Sequence, residues 1–203
     1  MIKVLIASHN VKKRCEMETL LRGVSGIKVI NYNDLEVVPP LVLEDGKTFR
    51  QNAVKKALTI SRIFDGLVLG DDSGLEVDSL DGKPGVRSAR FARKNATDME
   101  NNRKLLKLLN SVPQKNRQAR FVCHIAIAEK GILLGSFEGL VKGEISLTPK
   151  GENGFGYDSL FVPKGYQETF AEMEQDRKNR ISHRAIALRE VKKAVKEYLK
   201  KPK

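Results

Sequence analysis

The fold is decided by a short stretch in the first half of the chain, Leu67-Val68-Leu69-Gly70-Asp71-Asp72-Ser73-Gly74. Three apolar residues are typical of a buried strand, and polar residues follow them directly. In α/β proteins, ligands gather at the carboxyl ends of such strands. Two adjacent carboxylates are costly to bury there, so at least one is expected to meet a cation or water. A turn in which an aspartate caps the next N–H groups explains the stretch about equally well.

Working outward, strands and helices alternate, which predicts one α/β domain over residues 1–203. Strands are expected at residues 2–7, 27–30, 67–69 and 159–162. Helices are expected from the Asn10 cap to about residue 22, over 49–64 with Thr48 as its cap, and at 96–109 and the carboxyl end. A long hairpin is predicted from residues 119–128 and 132–144, around the turn at Glu129-Lys130-Gly131.

The composition is that of a globular protein with a large basic excess. Of 203 residues, 40% are hydrophobic, and 37 Lys+Arg against 25 Asp+Glu give a net charge of +12. These values exclude a collagen-like or wholly disordered chain. The charge suggests nucleic acid, an anionic membrane or a small phosphorylated substrate. Residues 189–203 carry +5 of it, with apolar residues at helical spacing, so we favour an amphipathic helix with a solvated basic face over a nucleic-acid arm.

Targeting and redox features predict a reduced, cytoplasmic protein. The first apolar run is too short for a signal peptide, and no segment approaches the roughly 18–20 apolar residues that cross a bilayer. Cys15 and Cys123 lie far apart without metal-ligand spacing. Each is therefore expected to be a small apolar filler rather than a ligand or half of a disulfide.

Common catalytic fingerprints are absent from the sequence. Gly46-Lys47-Thr48 resembles the end of a P-loop, but Leu41 stands where the earlier glycine is required. There is no G-x-G-x-x-G after the first strand, no G-x-S-x-G and no paired histidine spacing. Any phosphate group must therefore bind at a different loop.

Three further segments are candidates for binding. Residues 8–13 lie between a strand and a helix, where free N–H groups and Lys13 suit an anion, although a plain Asn10 cap is the simpler interpretation. Residues 154–158 combine glycines with aromatics that suit a nucleobase, or a tight turn packed on the core. Lys178, His183 and Arg184 precede the closing helix, with Ser182 as its possible cap, and positive charge is unfavourable at that end.

Taken together, these segments closely resemble the inosine triphosphate pyrophosphatase family, whose members act on ITP, dITP and XTP. The family's motifs appear in order along the chain: S/T-x-N-x-x-K-x-x-E at 8–16, E-x-G-x-T-F-x-E-N-A-x-x-K-A at 44–57, D-D-S-G-L-x-V-x-x-L-x-G-x-P-G-x-x-S-A-R at 71–90, G-x-G-F-G-Y-D-P-x-F near 151–161, T-F-A-E-M at 169–173 and K-N-x-I-S-H-R at 178–184. Gln51 replaces the usual Glu, Ser159 replaces Pro, and the first glycine near 151 is spaced differently.

The resemblance implies an elongated mixed central sheet with flanking helices, forming two lobes around a nucleotide cleft, and a homodimer. It implies that Glu44 and Asp72 bind Mg²⁺ and that Asp72 is also the catalytic proton acceptor. The triphosphate would be held by Ser8, His9, Asn10, Val11, Lys12 and Lys13. The rest of the substrate would be contacted by Ser73, Phe155, Gly156, Tyr157, Asp158, Lys178, His183 and Arg184, the later ones at the nucleobase. Gln51 leaves the number of metal ions open.

The implied reaction converts a purine nucleoside triphosphate and water to the monophosphate and pyrophosphate. Hypoxanthine and xanthine carry a 6-oxo acceptor where adenine carries a 6-amino donor, so donors such as Lys178 and Arg184 would favour ITP and XTP. Neither nucleic acid nor a membrane is expected as a partner. The alternatives are a basic nucleic-acid-binding protein, which the charge favours, and a phosphohydrolase of standard dNTPs.

Overall fold

The computed structural model describes residues 1–37 and 39–200. Its strands are β1 (Ile2–Ala7), β2 (Ile27–Ile30), β3 (Leu67–Val77), β4 (Gln118–Glu129), β5 (Ile132–Ile145) and β6 (Phe161–Pro163). Its helices are α1 (Val11–Leu21), α2 (Phe49–Ser61), α3 (Asp98–Leu108), α4 (Gln175–Ile181) and α5 (His183–Lys200). Within the part of the chain that is described, no helix is long and apolar enough to cross a membrane.

All six strands form one mixed sheet in the order β2-β1-β3-β4-β5-β6. β1 is parallel to both neighbours, with Val4 opposite Val29 on β2 and opposite Leu67 on β3. β5 and β6 are antiparallel. The predicted α/β class is therefore confirmed, with the parallel part formed by the alternating strands and helices of the first third of the chain.

The described residues fall into two compact units. The first, unit 1, comprises the described residues of Met1–Asp72, Cys123–Gly139 and Arg184–Lys203. The second, unit 2, comprises Ser73–Val122 and Leu140–His183. The chain therefore passes from one unit to the other between Asp72 and Ser73, inside β3.

In unit 1 the strands are covered on both faces. Val4 and Ile6 of β1 join a cluster with α1 and α5, whereas Leu5 and Ala7 join a cluster that contains Ile60 of α2. Because successive side chains of a strand point to opposite faces, the helices cover both faces of β1. This explains why residues 2–7 read as an apolar run rather than as an alternation.

Unit 2 has one main core, built from the continuing halves of the long strands together with α3 and the segment 157–173. On β4, Ala119 and Phe121 are buried while Gln118 and Arg120 are exposed, so one face of the sheet meets solvent here. Farther along the same strand, residues 125–128 are all buried. A single strand thus changes from one-sided to two-sided burial as it enters unit 1.

Several predicted features differ from the structure. β3 does not end at Leu69 but continues through the polar stretch to Val77, because buried partners satisfy its carboxylates. α4 was not anticipated, and it contains Lys178; His183 and Arg184, which were expected to precede the closing helix, are instead its first two residues. Both cysteines are free thiols, but only Cys123 is a buried filler; the prediction for Cys15 is wrong, since it is exposed.

Candidate functional site

In unit 1, the turn between β1 and α1 holds the first predicted group of residues. The Asn10 side chain accepts a hydrogen bond from the Lys13 N–H (3.0 Å), so Asn10 is the N-cap of α1. Ser8 Oγ accepts from the Asn10 N–H (3.2 Å) and the Ser8 side chain is buried, whereas Val11 and Lys12 are exposed. These contacts fix the start of the helix, where backbone N–H groups are directed outward and favour an anion.

His9 lies in the same turn, against the ring of Tyr32 with 4.7 Å between ring centroids. Partial burial and the nearby charges of Arg14 and Lys56 lower its pKa. Arg14 itself is buried and donates from Nη1 to the Ser8 carbonyl oxygen (3.0 Å). His9 is therefore held as a neutral ring in a positively charged turn.

The Lys13 side chain reaches a buried carboxylate. Its Nζ lies 2.7 Å from Asp71 Oδ1, and the Asp71 side chain has no exposed surface. Arg184 Nε lies 3.7 Å from Asp71 Oδ2, and Cys123 Sγ donates to the same oxygen at 3.2 Å. Burial alone would raise the pKa of Asp71, but Lys13, Arg184 and Lys56 together hold it well below its usual range. Asp71 is therefore an anion at neutral pH.

Arg184 has a second carboxylate partner in Glu16, and both side chains are almost completely buried. The resemblance assigns Arg184 to the nucleobase, whereas the structure places its guanidinium between Glu16 and Asp71 in unit 1. Burial acts against its charge, but the two carboxylates outweigh it and raise the pKa of Arg184.

Asp72 lies beside Asp71 in β3 but in a different electrostatic environment. Asn52 Nδ2 donates to Asp72 Oδ2 (2.8 Å), while the Asn52 Oδ1 accepts from the Gly46 N–H (2.7 Å). The Asn52 side chain thus links Asp72 to the loop that carries Glu44. Burial and the charge of Glu44 raise the pKa of Asp72 to about 6, although Lys13, Asn52 and Lys56 oppose the shift.

Lys56 links the two carboxylate-bearing segments. Its Nζ lies 2.5 Å from Glu44 Oε1 and donates to the Asp71 carbonyl oxygen at 2.7 Å. Among residues 1–37 and 39–200, no three His, Cys, Asp or Glu side chains cluster as a ready-made metal site. Mg²⁺ does not require one, since it commonly takes one or two carboxylates together with substrate phosphates and water. A buried carboxylate whose pKa is raised beside a second carboxylate therefore fits this ion.

In unit 2, the predicted residues 155–158 form a tight loop anchored to α4. Lys178 Nζ lies 2.7 Å from Asp158 Oδ2, and both side chains are at most 5% exposed. The same carboxylate oxygen accepts from the Phe155 N–H (2.8 Å), and the Lys178 ammonium lies 5.0 Å from the centre of the Phe155 ring. One buried ion pair therefore fixes both the aromatic ring and the backbone of the loop.

His183 completes this second group. Its ring stacks on Phe121 with 4.6 Å between centroids and 7° between planes. Phe161 and Phe170 pack against the same phenyl ring. Ser73, the first residue of unit 2, is half-buried in β3. The predicted residues thus form two sets: Ser8 to Lys13, Glu44, Asp72 and Arg184 in unit 1, and Ser73, the loop 155–158, Lys178 and His183 in unit 2.

Comparison with known proteins identifies the family of this chain. The model of the Ham1 family matches residues 4–194. This chain belongs to the Ham1 family. A dITP/XTP pyrophosphatase of Desulforamulus reducens is 47% identical over 188 residues, which cover 93% of this chain and 92% of that protein. A protein of the same name from Bacillus licheniformis is 44% identical over 191 residues, 94% of this chain and 96% of the other.

Solved Ham1 structures are also similar to this one. The HAM1 protein of Coxiella burnetii has a TM-score of 0.86 and 39% identity, covering 97% of this chain and all of that one (100%). The Ham1 protein of Staphylococcus aureus has a TM-score of 0.84 and 34% identity, covering 97% and 99%. The family resemblance seen in the motifs and the mixed α/β fold are both confirmed.

For this Ham1 protein, several residues that shape the unit 1 site were not among the predicted site residues: Glu16, Asn52, Lys56, Asp71 and Cys123. All but Cys123 lie inside the matched motifs, which was the available signal. Their partners are distant along the chain, so only the folded structure identifies what each one contacts.

Proposed function

We propose that this protein hydrolyses non-standard purine nucleoside triphosphates, ITP, dITP and XTP, to the monophosphate and pyrophosphate. Family membership and the names of the relatives support the reaction. The observation that carries it for this chain is the unit 1 cluster, in which Asp71 holds Lys13 at the start of α1 while the neighbouring Asp72 has a raised pKa. Triphosphate binding and water activation need such a pair of cation and base.

The phosphate chain is assigned to the turn of residues 8–13. The N–H groups of the first turn of α1 and the Lys13 ammonium supply positive charge where anionic oxygens would lie. Asp71 keeps the ammonium in one orientation, and this preorganisation lowers the cost of stabilising charge in the transition state. Lys13 keeps 15% of its side chain exposed, so the side chain is not fully enclosed by the protein.

Glu44 and Asp72 are the residues proposed to hold Mg²⁺. When bound, the ion would neutralise phosphate oxygens and stabilise the leaving pyrophosphate. Asn52 and Lys56 position the two carboxylates from α2. The ion is thus assigned to the two carboxylates that the family resemblance names as metal ligands.

Asp72 is proposed as the proton acceptor. As a water oxygen bonds to the α-phosphorus, the bond from that phosphorus to the pyrophosphate oxygen breaks and the water proton passes to the Asp72 carboxylate. A general base works best when its pKa lies near the working pH, and burial raises the pKa of Asp72 to about 6. Asp71 is unsuited to this role because its pKa is held low.

Base selection is assigned to unit 2. Lys178 is the donor assigned to the base, and a purine with a 6-oxo group can accept from it where a purine with a 6-amino group cannot. A buried donor left unpaired costs about 1–3 kcal/mol, which corresponds to one or two decades in rate. We further propose, from the family resemblance, that the protein is a cytoplasmic homodimer.

A nucleotide panel tests this function. ITP, XTP, dITP, ATP, GTP and the standard dNTPs are each incubated with protein and Mg²⁺, and pyrophosphate and orthophosphate are measured separately. We expect pyrophosphate alone, with ITP, dITP and XTP at least about tenfold faster than ATP. Asp72→Asn should fold but lose most of this turnover. Equal rates on all nucleotides, a preference for standard dNTPs, or release of orthophosphate would each contradict the proposal.

A further inference from the structure

Two side chains of helix α3 contact the backbone of the loop at residues 154–158 in unit 2. Asp98 Oδ2 accepts a hydrogen bond from the Gly156 N–H (2.8 Å), and Asn102 Nδ2 donates to the Gly156 carbonyl oxygen (3.0 Å). Asp98 and Asn102 are four residues apart, so they lie on the same face of α3. One helix face therefore holds both polar groups of a single loop residue.

The loop needs such anchors because its backbone is unusual. Gly154 and Gly156 both have positive φ angles, 75° and 64°. Glycine at these positions permits the turn but leaves many other conformations accessible, and fixing them costs entropy. Two of the loop's own side chains also anchor it: Asp158 accepts from the Phe155 N–H, and the Tyr157 hydroxyl donates to the Ser88 carbonyl oxygen (2.9 Å). The contacts from α3 fix the residue between these two anchors.

We propose that Asp98 and Asn102 are positioning residues that set the conformation of the substrate loop, residues 154–158, and through it the affinity and base selectivity of the enzyme. The proposal rests on the proposed function, which assigns the loop to the purine. Neither side chain is required to touch substrate. Sequence reasoning found nothing informative about chemistry in residues 93–118, because the contact joins residues 58 positions apart in the chain.

The charge of Asp98 makes it the more important of the two. A carboxylate is a stronger acceptor for a backbone N–H than a neutral group is. Burial and the nearby charge of Asp98 also raise the pKa of Tyr157, whose hydroxyl donates to the Ser88 carbonyl oxygen. The Asp98 carboxylate thus makes the stronger of the two contacts from α3 to Gly156.

A purely structural role for Asp98 must be separated from this one. Asp98 is in the first turn of α3, where any acidic residue stabilises the helix. Glu100 lies in the same turn and completes the capping box with Thr97, and its hydrogen bonds are to Thr97 and Arg93. Glu100→Ala is therefore a matched control that weakens the helix start without removing a contact to Gly156.

The test compares Asp98→Ala, Asp98→Asn, Asn102→Ala and Glu100→Ala with the wild type, using kcat and KM for ITP and ATP. Loss of a contact that aids binding equally in the ground and transition states raises KM and leaves kcat unchanged. For Asp98→Ala we expect KM for ITP to rise roughly five- to tenfold, as for one lost hydrogen bond. The ratio of kcat/KM for ITP to kcat/KM for ATP should fall by the same factor. Asp98→Asn, which keeps a neutral acceptor, should lie between the alanine variant and the wild type. Asn102→Ala should change KM in the same direction.

A second measurement needs no substrate. Amide hydrogen exchange at residues 155–158 should be faster in Asp98→Ala than in the wild type and unchanged in Glu100→Ala. The inference is overturned if Asp98→Ala keeps wild-type KM and exchange, or if Glu100→Ala reproduces its effects. If the wild type fails to hydrolyse ITP while Asp98→Ala still speeds exchange, the proposed function fails and the positioning contact stands without its role in selectivity.

Discussion

Lys13 and Asp71 form an ion pair of 2.7 Å in which the carboxylate is wholly buried and the lysine keeps 15% of its side chain exposed. Arg184 and Cys123 share the other carboxylate oxygen. Asp71 therefore joins α1, β4 and α5, and it turns a flexible lysine at the start of α1 into a fixed cation.

Asp71→Asn should be strongly destabilising. The change leaves Lys13 and Arg184 close together without their shared counter-ion, and breaking a buried pair typically costs about 3–5 kcal/mol. We expect the free energy of unfolding in urea to fall by about 3 kcal/mol at pH 7. Asp65→Asn, at an exposed aspartate of unit 1, should change it by less than about 0.5 kcal/mol. Because the pKa of Asp71 is lowered in the folded state, the cost should persist down to about pH 4 and shrink in stronger acid. A loss below about 1 kcal/mol would show that Asp71 does not stabilise the fold through Lys13 and Arg184.

Asp72→Asn should have the opposite effect on stability while removing activity. The folded-state pKa of about 6 lies above the ordinary value of 3.8, so ionising Asp72 costs folding free energy as the pH rises from about 4 to 6, and the cost stays constant above that. With EDTA present, we expect Asp72→Asn to be more stable than the wild type by about 2 kcal/mol at pH 8 and equal to it near pH 4. Mg²⁺ should raise the melting temperature of the wild type and not that of the variant. Equal wild-type and variant stability at pH 8 would contradict the raised pKa.

Gln51 should act as a helix cap rather than as a missing metal ligand. Its Oε1 accepts from the Lys47 and Thr48 N–H groups at 2.7 and 3.2 Å, which completes a capping box with Thr48 at the start of α2. Gln51→Ala should therefore lower stability by about 1 kcal/mol, and Gln51→Glu should match or slightly exceed the wild type. Calorimetric titration should give the same number of Mg²⁺ ions for the wild type and Gln51→Glu. An additional ion in the Glu variant would show that this position takes part in metal binding.

Variants of the Lys178–Asp158 ion pair should affect stability and base selection differently. Lys178→Met leaves a buried carboxylate without its 2.7 Å partner, so we expect a loss of about 3 kcal/mol in stability. Adding Asp158→Asn removes the uncompensated charge and should recover a large part of that loss. The double variant should still hydrolyse ITP poorly and discriminate little against ATP. Recovery of both stability and selectivity would show that Lys178 serves only to neutralise Asp158.

The sequence predicted those elements of the fold that depend on neighbouring residues better than those that depend on residues distant along the chain. β1, β2 and the starts of α1 and α2 follow from apolar runs and from the caps Asn10 and Thr48, and these matched the structure. The length of β3 did not follow, because Asp71 and Asp72 read as a turn unless their distant partners Lys13 and Asn52 are known. α4 was missed because it is short and contains few apolar residues.

By itself the sequence determined the family, since ordered motifs fix residue types at fixed spacing, and it determined the alternating α/β pattern through hydrophobic periodicity. Only the tertiary structure decided how the two adjacent aspartates differ. Asp71 and Asp72 are neighbours in one strand, yet one faces three cations and has a lowered pKa while the other faces an amide and a second carboxylate and has a raised one. A pKa depends on burial and on charges within a few ångströms, and those neighbours come from α1, the loop that carries Glu44, α2, β4 and α5, which only folding brings together.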